Sequence, residues 1–181
     1  MDRLMRLVCV LCLAAPVGLW ATSAGAASGT TCKSFSATET TTPGLPVITS
    51  KTKVNATVKL VGKLAGCSGG GVTGASIAET YKYDGNCATF VTGKGGVTTP
   101  AKPTATFTWS NHKTSTATST VTLLSKPGVT PAKLKLVTTI TGGQFAGTSS
   151  TGTVTLTGPK GACVTSPGTK ATLTGGTATF K

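Results

Sequence analysis

Hydrophobic and polar residues alternate with a period of two along most of the chain beyond residue 50. That spacing sends successive side chains to opposite faces of a β-strand. From Val54 to Leu64, the residues Val58, Leu60 and Leu64 share one face, and Thr57, Lys59 and Lys63 the other. A second strand is expected from Val72 to Tyr81, and a short one from Cys87 through Val91. Between Thr104 and Trp109 the contrast is clean, with Ala105, Phe107 and Trp109 against three threonines, so Trp109 is the leading core anchor. Ser115 to Leu124 sets Ala117, Ser119, Val121 and Leu123 opposite Thr116, Thr118, Thr120 and Thr122. Lys133 to Thr141 turns Leu134, Leu136, Thr138 and Ile140 inward and Lys133 and Lys135 outward. Thr151–Thr157 and Lys170–Phe180 complete the set.

Glycine and proline separate these runs. Gly66–Gly71, Asp84-Gly85-Asn86, Gly93–Pro103 and Lys126-Pro127-Gly128 all carry turn or loop chemistry. Threonine and glycine dominate the chain and are poor helix formers, so no helix is expected. Eight or nine short strands at even spacing predict an all-β domain. The favoured architecture is an antiparallel β-sandwich of immunoglobulin-like or related type. A closed β-barrel is the alternative. The domain is placed at residues 46–181, after an extended and weakly specified segment at 27–45.

The first 26 residues read as a signal peptide. Arg3 and Arg6 precede an apolar run from Leu7 to Trp20, and Ala24-Gly25-Ala26 forms a small-residue cleavage site. The run is shorter than the ~20 residues of a membrane span. A secreted or extracytoplasmic protein, cleaved after Ala26 and not integral to a membrane, is therefore expected. Four cysteines then remain: Cys32, Cys67, Cys87 and Cys163. An even number in an exported chain implies two disulfides. Of the three pairings, we favour Cys32–Cys67 with Cys87–Cys163. Residues 27–181 hold no C-x-x-C pair and a single histidine, His112, so neither a metal site nor a cofactor is expected.

Charge narrows the partners. Beyond residue 26 there are fifteen lysines, no arginine and three acids, Glu39, Glu79 and Asp84, a net charge of +12. Arginine supplies the planar fork that reads guanine and phosphate, so sequence-specific nucleic-acid binding is not expected. Lysine keeps a surface soluble and blunts exposed strand edges. Lys59, Lys63, Lys133 and Lys135 are candidate contacts to an anionic cell-envelope polymer. Tyr81 and Tyr83 share a strand face and are the best candidates for an exposed aromatic pair that binds carbohydrate.

Catalytic chemistry is sparse. Gly66-Cys67-Ser68-Gly69-Gly70 fits G-x-S-x-G, and Asp84 and His112 follow in hydrolase order. The nucleophile elbow needs a strand feeding a helix, and none is expected after Ser68. Glu79 and Asp84 read as exposed charges, and His112 as a turn residue. The threonine ladders 116–122 and 151–157 could form a flat hydroxyl array of ice-binding type, but strand preference alone accounts for them.

The stretch Gly62–Ile77 (GKLAGCSGGGVTGASI), the ending Gly175–Phe180 (GGTATF), Trp109-Ser110 and the four-cysteine layout together resemble small secreted β-proteins of actinobacteria with no assigned function. The resemblance implies secretion and a sandwich fold, and it carries over no catalytic residue. The resulting expectation is an exported, non-catalytic protein with a structural or adhesive role. The alternatives are a binding module for carbohydrate or an anionic wall polymer, and a serine hydrolase built on Ser68.

Overall fold

The structure is a computed structural model that describes residues 29–92, 96–99, 103–125, 131–158 and 162–181. The expected signal peptide at 1–26 lies outside the described residues. In chain order the elements are β1 (Thr30–Cys32), β2 (Ser34–Leu45), β3 (Val54–Ala65), β4 (Gly74–Gly85), α1 (Cys87–Thr92) and β5 (Gly96–Thr99). They continue with β6 (Ala105–Trp109), β7 (Thr114–Leu123), β8 (Ala132–Gly143), β9 (Ser149–Thr157), β10 (Gly168–Gly175) and β11 (Ala178–Phe180).

The favoured sandwich is corrected to a closed barrel. Strands β2, β3, β4, β6, β7, β8, β9 and β10 pair with their neighbours in that order, all antiparallel, and β10 returns to β2. One continuous sheet therefore replaces two layers. The alternation read from the sequence specifies one buried face, and both architectures need the same face; closure is decided elsewhere. It is decided by β2, which falls in the weakly patterned segment 27–45. Its inward positions are Phe35, Ala37, Glu39 and Thr41, so the polar–apolar contrast that marks a strand fades halfway along it. Register shifts between Gly168 and Lys170 and between Thr116 and Ala117 add the local bends that a closed sheet requires.

Two further expectations change. Cys87–Thr92 is a short helix instead of a strand. Asn86 caps it: its Oδ1 accepts from the Thr89 amide at 3.0 Å, and the Asn86 amide donates to Thr89 Oγ1 at 2.9 Å. This reciprocal pair is a capping box, and it outweighs the strand preference of the residues that follow. The expected loop Gly93–Pro103 contains β5, which pairs with the end of β4.

The barrel has two unlike ends. At one, β1 and β11 form a two-stranded sheet, Thr30 opposite Phe180 and Cys32 opposite Ala178. The Ser68 amide donates to the Thr31 carbonyl and the Thr31 amide to the Ser68 carbonyl, tying this sheet to the turn after β3. Beneath it sit Trp109, Phe107, Phe145 and Phe180, with Trp109 only 1% exposed. Trp109 meets Phe145 edge-on at 4.8 Å between ring centres and stacks on Phe107 at 5.7 Å. Its indole N–H donates to Ser115 Oγ at 2.8 Å, so the one polar atom of the ring system is satisfied. Each such ring contributes about 2–3 kcal/mol on burial. Gly143 makes the turn out of β8 with φ of +79°, and a Cβ there would strike the Thr114 carbonyl.

At the other end lie α1, β5 and a smaller cluster of Leu45, Ala56, Val58, Tyr83 and Cys87. The disulfides pair as favoured, one at each end: Cys32–Cys67 under the β1–β11 sheet and Cys87–Cys163 beside Leu45. Gly168 leaves room for the second, since a Cβ there would lie 2.6 Å from Cys163 Sγ. Such bridges persist in oxidising compartments outside the cytosol. Among the described residues no helix is long and apolar enough to cross a membrane.

Candidate functional site

The eight barrel strands turn most of their apolar side chains inward and their lysines and most of their threonines outward. A membrane-spanning barrel does the reverse. An eight-stranded barrel is just wide enough to be filled by side chains or to hold one small ligand. This one is filled at the Trp109 end and hollow towards the other. The hollow is a cavity of about 640 Å³. At ~30 Å³ per molecule it equals the liquid volume of roughly twenty waters. Sealed and dry, such a void would cost on the order of 15 kcal/mol at ~24 cal/mol per Å³, as much as a whole domain's stability. It is therefore occupied in solution, by water or by a ligand.

Its wall is mainly apolar. Leu60, Leu134, Leu136, Leu156 and Leu173 form the body, and Phe90 and Val97 lie at the α1–β5 end. Among the described residues, one side is incompletely walled. β6 pairs with β4 only over Ala75–Ala78 and with β7 only over Thr114–Ala117. Among the described residues, Thr118–Leu123 of β7 pairs with β8 alone. Ser119 and Val121 of that stretch line the cavity yet are exposed, Val121 to 56%, so solvent reaches the interior along β7.

The polar groups are few and grouped. Glu39 and Glu79 point inward from β2 and β4, flanking Leu60, which is the cross-strand partner of both. Two strand spacings place their backbones ~10 Å apart. The Tyr81 hydroxyl donates to Glu39 Oε1 at 3.0 Å. Glu39 is 7% exposed. Burial raises its carboxyl to about 7; the Tyr81 hydrogen bond works the other way, and the nearby Glu79 charge adds to the rise. Burial likewise holds Glu79 above the usual carboxylate range. The Tyr81 phenol is raised, first by burial and then by Glu39. Across the cavity Ser119 and Thr138 hydroxyls bond each other at 2.9 Å.

Several expected sites lie elsewhere or differ. Tyr81 and Tyr83 do share a face, but it is the inner one; Tyr83 is 5% exposed and donates to Thr89 Oγ1 of α1, so they form no exposed platform. Glu79, expected at the surface, faces the cavity. Lys59 and Lys63 stand on β3 and Lys133 and Lys135 on β8, opposite strands of the ring, so these exposed lysines form no single patch. Ser68, Asp84 and His112 do not meet. His112 follows Trp109, whose partner on β4 is Ala75, and Asp84 lies nine residues further along that strand, about 30 Å at ~3.3 Å per residue. The two threonine ladders are separated by β8, which sets Lys135 between Thr122 and Thr153. Among the described residues no group of three or more His, Cys, Asp or Glu could hold a metal ion.

Glu39 is the site residue that sequence reasoning passed over. A signal existed: it falls on the same period-two face as Phe35 and Ala37. An acid in phase with apolar neighbours marks an inward charge, but the surrounding threonines hid the strand that carries it. Comparison with protein-family models, with curated proteins and with solved structures finds no match for this chain.

Proposed function

We propose that the protein is an exported, non-catalytic binding protein that holds one small, mainly apolar molecule inside its barrel. The observation that carries this reading is the 640 Å³ cavity, lined by leucines and aromatic residues around a few convergent polar groups. Ligand sites of known proteins have that size and that make-up. The cavity is a more specific feature than the dispersed lysines, and so ligand carriage is preferred to an adhesive role or to a wall-polymer contact. A ligand of about twenty heavy atoms at ~0.3 kcal/mol each would gain about 6 kcal/mol, a Kd of tens of micromolar.

The test is a fluorescence titration of the oxidised protein with neutral N-phenyl-1-naphthylamine, which brightens in apolar surroundings. Saturable binding with one site is expected, together with displacement by dodecanol. Leu136→Trp, which projects an indole into the cavity, abolishes the signal while the β circular dichroism persists. Ser119→Trp fills the same space from the β7 side and gives a second reading should Leu136→Trp misfold. Absence of saturable binding, or binding indifferent to both fillings, overturns the proposal.

A further inference from the structure

We infer that the cavity selects a cationic amphiphile, seating the ligand's basic nitrogen between Glu39 and Glu79 and its apolar body among the leucines. The inference rests on the cavity being a binding site, and it names the ligand class.

The distribution of charge is its foundation. Residues 27–181 contain only three acids against fifteen lysines. Two of those three acids point into the cavity. Every lysine among the described residues is exposed, and none lines the cavity. Among the described residues, the chain thus places two anionic groups inside a mainly apolar cavity and its lysines outside it. A buried carboxylate with no counter-ion is costly.

Geometry agrees. Leu60 lies between the two acids on the adjoining strand, so both side chains stand on the inner face on either side of one apolar residue. The Tyr81 hydroxyl occupies Glu39 Oε1. Among the described residues, the titratable groups lining the cavity are Glu39 from β2 and Glu79, Tyr81 and Tyr83 from β4; β3, α1, β5 and β6–β10 contribute none. An ammonium arriving there finds acceptors and, among the described residues, no competing cation. An anionic head group finds two carboxylates and is repelled, and a neutral one leaves both charges uncompensated. Burial holds both carboxyls above their ordinary range, so a protonated amine drives proton release from the site as it binds. Affinity for an amine therefore rises between pH 5.5 and 8, where an aliphatic amine stays protonated.

Three ligands with one tail separate the outcomes: dodecylamine, dodecanol and dodecanoate, each displacing N-phenyl-1-naphthylamine at pH 8 and at pH 5.5. At pH 8, dodecylamine is expected to displace the probe at a concentration at least tenfold below dodecanol, with dodecanoate weakest. The amine advantage shrinks at pH 5.5. In Glu39→Gln/Glu79→Gln the ranking of amine over alcohol falls by tenfold or more at pH 8, and the singly substituted Glu79→Gln gives a partial fall should the double variant misfold. Probe binding with amine and alcohol equal, or with dodecanoate strongest, overturns the cationic preference and leaves the cavity reading standing. No probe binding overturns the cavity reading itself.

Discussion

At the Trp109 end of the barrel aromatic rings pack edge to face under a small covering sheet; at the Cys87 end the same strands surround open space and two acids. Seven of the eight strands run on from one end towards the other, so the difference lies in their side chains and in the short β6. Phe107 and Trp109 alternate inward from β6 where β6 is paired on both sides. Beyond Ala105 that strand stops, and β4 supplies Glu79 and Tyr81 in place of further aliphatics. Half of the barrel is built for cohesion. The other half keeps groups that oppose cohesion, and the proposed ligand site would account for that loss of stability.

The contrast can be broken in four ways, from the largest effect to the smallest. Replacing Cys87 and Cys163 by serine opens a loop with a sequence separation of 76 and removes about 4–5 kcal/mol in the chain-entropy model. Urea denaturation reads this loss, and probe affinity should fall with it because the bridge lies at the cavity end. Trp109→Ala should cost about 3–5 kcal/mol yet leave probe affinity within twofold, since the ring lies at the packed end; a large affinity change would show the two ends to be coupled.

Glu39→Gln acts in the opposite direction. With its carboxyl raised from 4.5 to about 7, the folded chain holds a proton there that the unfolded chain releases. Stability is therefore full below about pH 4.5, declines as pH rises through the window to 7, and levels off above it. The decline amounts to about 3 kcal/mol, and Glu79 adds to it in the same direction. The glutamine variant should flatten the slope and exceed the parent in stability at pH 8, as thermal melts at pH 5 and 8 would report. Leu123→Ala, at the half-exposed cavity wall, should cost only about 1 kcal/mol, well below any truncation in the aromatic cluster.

Much of this was legible in the residues themselves. Val58, Leu60, Leu64, Phe107, Trp109, Leu134 and Ile140 announce their face by alternation, and all face the interior. The cysteine pairing also holds. Closure was hidden because β2 meets β10 across most of the chain, and no local pattern encodes a partner so distant. The cavity was hidden for a related reason. Alternation reveals which side chains turn inward, but not whether they fill the space they face. Tyr81 and Tyr83 share a strand face, and their polar tips beside Glu79 and Asp84 resemble a surface; in a hollow barrel the two tyrosines and Glu79 line the interior.

Glu39 of β2 lies opposite Ala171 of β10. The wall that holds one of the two acids thus joins the earliest barrel strand to be synthesised to the last. Until residues 168–175 exist, the ring is an open ribbon with an unsatisfied edge and no enclosed lumen. Formation of the pocket is consequently a terminal event, governed by the slow encounter of distant segments, and a chain cut short before β10 would lack stability and enclosed cavity together.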